Sequence, residues 1–228
     1  MARPTDAEGW VALRNEINEA FSPGSPIRAR TELAGRTEQI QRLTDIMLRA
    51  GEHAIVFGER GVGKTSIART FHAGLNTATR RVQEVAINCV EDDTYTDLWR
   101  RVLKRATPDN SNVTSDKSYP GEITPDDVDF ELGRFSKNDI PLIIFDEFDR
   151  VADEKTKSLM TDTIKLLSDS PSHAKILLVG VADDVEDIIS RHRSLSRNLK
   201  QVRMPRLTID ESEAIVVARL KKCGMSIN

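Results

Sequence analysis

Gly58-Glu59-Arg60-Gly61-Val62-Gly63-Lys64-Thr65 is a stretch in which each fixed position has a chemical use. It is GxxxxGK[ST], with an apolar run at 54–57 before it and a helical pattern from residue 64 after it. The glycines let the backbone wrap tightly and aim its N–H groups at phosphates. A helix beginning at Lys64 adds its positive end. Lys64 reaches the β- and γ-phosphates of a nucleoside triphosphate, and the Thr65 hydroxyl ligates Mg2+. Gly58 through Thr65, with the following Ser66, are the expected contacts to the nucleotide.

A second constellation follows the apolar run Leu142-Ile143-Ile144-Phe145, which reads as a strand buried on both faces. It pushes Asp146 and Glu147 out at its carboxyl end, where open α/β sheets bind their ligands. Asp146 is expected to hold Mg2+, mostly through water, and Glu147 to polarise the attacking water as general base. Asp149, Asp153 and Glu154 read as solvated acids. The same residues exclude other nucleotide enzymes. A GTPase would carry DxxG here, but position 149 is Asp and no NKxD follows. No LSGGQ-like stretch is present, and the length leaves no room for the further motifs of a DEAD-type helicase.

The elements that must position these groups alternate between helix and strand. Residues 36–50 place Ile40, Leu43, Ile46 and Met47 on one helical face. Strands are expected at 54–57, 82–87, 142–145, 176–179 and 201–204. Helices are expected at 64–76, 95–105, from Pro125, and at 153–169, 185–199 and 210–222. Residues 107–122, rich in Pro, Asn, Ser, Asp and Gly, read as a long mobile loop or insertion. Residues 6–21 form an amphipathic helix with Trp10, Leu13, Ile17 and Phe21 in register, expected to dock on the core, with a partner-binding arm as the alternative. Such alternation means a parallel sheet covered by helices on both faces.

Composition sets outer bounds. Hydrophobic residues are 39% and charged residues 30% of 228, an ordinary globular balance. The net charge of -3 forces no non-specific nucleic-acid binding, though a local basic patch could support it. Cys89 and Cys223 stand alone, so neither a zinc site nor a disulfide framework is expected. No apolar run approaches the roughly 20 residues that span a bilayer, and no signal-peptide pattern opens the chain. The expected location is the cytoplasm, with no membrane partner.

Together these residues resemble the AAA+ superfamily of P-loop ATPases, over about 31–223. The resemblance is to the branch holding origin-recognition initiators, transposition helper ATPases and STAND ATPases. Gly35-Arg36-Thr37-Glu38-Gln39-Ile40 with Leu43 resembles, with Gln39 in place of the Glu, the GRxxEIxxL box that lies over the adenine in that branch, which implies that Arg36 is a nucleotide contact. The resemblance implies a three-layer α/β/α core at 31–204 with strand order 5-1-4-3-2. An N-terminal helix and linker at 1–30 precede it, and 205–228 begins an α-helical lid. It places the sensor-1 residue at Asp183, or Asp184 one register on. An ionised Asp cannot donate to the γ-phosphate, which is a departure from the family's Asn, Ser or Thr. It places an arginine finger at Arg197, with Arg193 as fallback, reaching the nucleotide of a neighbouring subunit in a homo- or hetero-oligomer.

ATP and Mg2+ are the implied ligands, and the implied activity is ATP hydrolysis. Its use divides three ways. A motor or loader would act on DNA, and Arg191, Arg193, Arg197, Lys200, Arg203 and Arg206 could serve either DNA or an assembly interface. A STAND-like switch would oligomerise and signal, in phage defence for example, with little turnover. A small-molecule kinase would need a substrate domain that is not visible here.

Overall fold

The apolar runs become five parallel strands: β1 His53–Phe57, β2 Arg81–Asn88, β3 Asp139–Asp146, β4 Lys175–Gly180 and β5 Leu199–Arg203. The computed structural model describes residues 6–21, 36–108, 120–181 and 197–225. The strands lie in the order β2-β3-β4-β1-β5, all pairs parallel, which is 5-1-4-3-2 seen from the other edge. The helices are α1 Ala7–Ala20, α2 Thr37–Leu48, α3 Lys64–Thr70, α4 Tyr95–Leu103, α5 Pro125–Leu132, α6 Glu154–Asp169 and α7 Ile209–Lys222.

Alternation along the strands sorts side chains into two cores. Ile55, Ile143, Phe145, Ile176 and Leu178 face α4, α5 and α6, where Trp99 is wholly buried. Ala54, Val56, Leu142, Ile144, Leu177 and Val179 face α2 and α3, against Leu43, Ile67 and Phe71. Two apolar faces, each covered by helices, make the three layers. The open edge of β2 is covered in part by α4 and the residues just after it: Arg101 donates to Asn88 O and Arg105 to Ala86 O. Local chemistry sets the helix starts. Thr94 with Asp97, Thr124 with Asp127 and Thr208 with Glu211 each form a reciprocal cap.

Three expectations change. The helix read at 64–76 is α3 followed by a 3-10 segment, Phe71–Leu75, because Thr70 Oγ1 bonds back to Ser66 O where the tightening begins. The helix read at 185–199 cannot include Leu199, which opens β5 and pairs with His53, while 182–196 lie outside the described residues. In the basic run that precedes it, the period of two that marks a strand is invisible. Among the described residues helix α1 buries no side chain, and it packs on α7: Cys223 Sγ meets Glu16 O at 3.7 Å and Arg219 lies over the Phe21 ring. The loop expected at 107–122 falls mostly on 109–119, also outside the described residues.

At the amino edge of the sheet, His53 is buried and its Nδ1 accepts from Ile176 N at 3.0 Å. Burial, aided by Lys175, pushes its pKa down to about 3. Lys175 donates to Arg49 O and Glu52 O, and burial draws its own pKa down to about 8. For His53 the folded pKa lies below the unfolded 6.5. The unfolded chain therefore binds the proton first, and stability falls as pH drops from 6.5 towards 3. At pH 5 the loss from this group is about 2 kcal/mol. His53→Asn keeps an oxygen acceptor for Ile176 N and should lose that dependence. Urea melts at pH 6.5 and 5 measure it, and an unchanged difference would assign the proton uptake elsewhere.

Candidate functional site

The site is built where β1 ends. Gly58 turns the chain against β5's exit, and a Cβ there would stand 2.4 Å from Met204 O, so no other residue fits. Gly63 caps α3 with φ 91°, a left-handed value that disfavours side chains. Between them the loop passes over the carboxyl edge of the sheet. Asp146 ends β3, two strands from β1 across β4, so loop and acid are roughly 10 Å apart at their backbones. Side chains close that gap: Thr65 Oγ1 donates to Asp146 Oδ1 at 3.2 Å.

Arg60, Gly61, Gly63, Lys64 and Thr65 line a cleft of about 630 Å³ with Asp146 and Glu147. That is within the roughly 300–1,000 Å³ typical of ligand pockets. Gly58, Glu59, Val62, Ser66 and Arg36 are not on its lining. Ser66 is half-buried at the helix start, and Gly58 and Glu59 present their carbonyls to Lys64 Nζ, each at 2.8 Å. Burial lowers the Lys64 pKa, opposed by Asp149 and Asp146. Burial raises that of Asp146, opposed by the Thr65 hydrogen bond. A cation between Thr65 and Asp146 would offset the cost of desolvating the carboxylate.

Glu147 has φ 56°, the one non-glycine residue with positive φ among those described. Such backbone values gather at functional sites, where the fold holds them in place. Its carboxylate meets Arg150 Nη1 at 3.0 Å, and both side chains are about half exposed. Asp149 is a residue the sequence reading set aside. The 3-10 turn Phe148–Arg150 folds it back onto the cleft lining, beside Gly180, where a Cβ would meet its Oδ1 at 3.1 Å. Its spacing from Asp146 was the available signal. Asp153, by contrast, caps α6 through Lys155 N and Thr156 N, and Glu154 pairs with Lys157.

Three further expectations do not appear on the described lining of the cleft. Asp183, Asp184 and Arg193 lie outside the described residues. Arg197 is exposed just before β5, at the amino edge of the sheet, and its nearest strand residues pair with His53. The length of β1, roughly 15 Å, separates that edge from the loop of the same chain. Arg36 is buried behind the loop, where its Nη2 donates to Val62 O at 3.0 Å and to Pro205 O at 2.8 Å.

A strand, a glycine loop and a helix at one edge of a parallel sheet, with a hydroxyl and a strand-end carboxylate in contact, define a P-loop nucleotide-binding core. The sequence profile of the AAA ATPase domain matches residues 32–209, and the chain belongs to that family. An ORC1-type DNA replication protein of Thermoplasma volcanium is 25% identical over 174 residues, covering 74% of this chain and 41% of that protein. A Walker-type ATPase of Pyrococcus abyssi superposes with a TM-score of 0.67 at 17% identity, over 90% of this chain and 63% of that one. The ORC1 protein of Aeropyrum pernix, solved in complex with DNA, gives 0.57 at 15% identity, over 83% and 50%. The chain therefore spans less than two thirds of the length of each. No helix among the described residues is long and apolar enough to cross a membrane.

Proposed function

We propose that the cleft binds ATP with Mg2+ and hydrolyses it, and that the hydrolysis drives a motor or loader acting on DNA. The observation that carries the nucleotide reading is the contact of Thr65 Oγ1 with Asp146 Oδ1 at the mouth of the glycine loop. These two hard oxygen donors suit Mg2+, which takes few protein ligands and keeps its waters. When bound, the ion supplies charge neutralisation on the phosphate oxygens. The chain's own groups do the rest. Loop N–H groups and Lys64 hold the phosphates, and Glu147 takes the proton of the attacking water once its carboxylate leaves Arg150. Catalysis is then alignment for in-line attack.

The DNA part rests on the relatives: one is named for DNA replication, and another was solved with DNA. Light scattering in ATP, with and without duplex DNA, tests it. A second reading, a nucleotide switch with little turnover, draws on the Glu147–Arg150 ion pair, which occupies one carboxylate oxygen of the base. The kinase reading has no observation behind it.

Lys64→Ala tests the nucleotide reading. It removes a cation that a bound phosphate would draw from Gly58 O and Glu59 O. A hydrogen bond to a charged group contributes about 1.5–3 kcal/mol, so ATP affinity should fall roughly ten- to hundredfold. Calorimetry with ATP and Mg2+ measures it, and unchanged affinity would overturn the loop assignment.

A further inference from the structure

Several contacts tie the phosphate loop to the segment leading from β5 into α7. Met204 N donates to Phe57 O at 2.7 Å, and Gly58 lies flat against Met204. Arg206 pairs with Glu59 at 2.6 Å, but these side chains are 80% and 61% exposed, and such a pair holds little. Arg36 is different in kind. It is 4% exposed, stands at the start of α2, and gives both hydrogens of Nη2 to backbone carbonyls of two separate segments. Burial lowers its pKa, opposed by Glu211 in the first turn of α7. Its Nη1 is buried with no hydrogen-bond partner. A guanidinium kept in so dry a place is costly unless its contacts matter.

The contact on Val62 O has a geometric consequence. Val62 lies between Gly61 and Gly63, with φ 82° and 91°, two residues that leave its peptide free to rotate. The Val62 carbonyl and the Gly63 N–H belong to one planar trans peptide and point opposite ways. Pinning the carbonyl behind the loop aims the Gly63 N–H forward, and Gly63 lines the cleft.

We propose that Arg36 is a positioning residue that sets the Val62–Gly63 peptide for phosphate binding and, through Pro205 O, transmits occupancy of the loop to helix α7. This rests on the loop binding a nucleotide. When phosphate orders the Gly63 N–H, Arg36 is fixed from the front, and its second bond fixes the start of α7. Arg36 then acts on the nucleotide through the loop, by its bond to Val62 O.

Hydrogen exchange on the full chain, with and without ADP and Mg2+, tests this. In the wild type ADP should slow exchange in both 58–65 and 209–222 by at least about fivefold, the low end of ordinary site-to-site coupling. Arg36→Gln should bind ADP more weakly and, at saturation, still protect the loop while the effect on 209–222 drops below about twofold. Arg36→Lys keeps a cation with several donors and should retain part of the effect. A merely structural role would raise exchange in β3 as well and leave the ADP-dependent difference in α7 in place. Pro205→Gly leaves Arg36 intact but slackens its far anchor, and should uncouple α7 in the same way. It decides the matter alone if Arg36→Gln does not fold. ADP-dependent slowing of 209–222 that persists in Pro205→Gly, or in a folded Arg36→Gln, overturns the proposal. If ADP fails to slow the wild-type loop, the nucleotide reading falls instead.

Discussion

Glu147→Gln should keep ATP bound and bring turnover nearly to a stop, with phosphate release slowed by about 10²–10⁴. The substitution is close to isosteric, so the left-handed backbone at φ 56° is held as well or as badly by either residue. Gln can still accept from Arg150, so that contact is preserved. What it cannot do is take a proton. The loss therefore reads the proton acceptor and little else. Calorimetry should show affinity within a few-fold of wild type, since a group needed only in the transition state leaves ground-state binding alone. Release of phosphate at the wild-type rate would remove Glu147 from the mechanism. It would then direct attention to Asp149, a further acid that the 3-10 turn after β3 brings to the cleft.

Asp149 marks where the sequence stopped being informative. The loop and the strand-end pair were legible because each is a local pattern: fixed glycines, a lysine and a hydroxyl in one stretch, and four apolar residues running into an acid. The core was legible for the same reason. Ile40, Leu43, Ile46 and Met47 are buried on α2 at the spacing read from the sequence. Features set by tertiary contact were not. Asp149 reaches the cleft only because a 3-10 turn follows β3. Arg36 had the right neighbours in sequence, but Pro205, 169 residues away, directs its guanidinium. The start of β5 is fixed by pairing with β1, which a run of arginines, serines and leucines does not announce. Helix α1 has an amphipathic face, but periodicity cannot say which surface receives it, and α7 does.

Arg197→Ala should leave the ATP affinity of an isolated subunit nearly unchanged and abolish the gain in activity that comes with assembly. Arg197 is exposed at the amino edge of the sheet, on the far side of β1 from the loop of its own chain. A residue there cannot serve its own cleft without crossing the length of the strand. It can serve a neighbour's, if subunits stack with the amino edge of one against the carboxyl edge of the next. Such head-to-tail contact is the heterologous kind that builds rings and filaments. In the wild type, activity per subunit should then rise with protein concentration. An arginine supplied in trans is worth about 10³–10⁵ in rate in other P-loop enzymes. Mixing separates this from a solvated basic surface. Alone, Arg197→Ala should keep only the slow rate of an isolated subunit and Glu147→Gln should be nearly inactive, yet the Glu147→Gln subunit offers an intact arginine to the intact acid of its partner. In a random equal mixture about a quarter of the head-to-tail interfaces join the two intact halves, so activity should recover to about that fraction of wild type. Recovery requires only that mixed oligomers form, which co-purification of differently tagged subunits establishes. Mixed oligomers that form and stay inactive would mean that Arg197 meets no nucleotide, and the basic residues near β5 would then be a surface for assembly or for DNA.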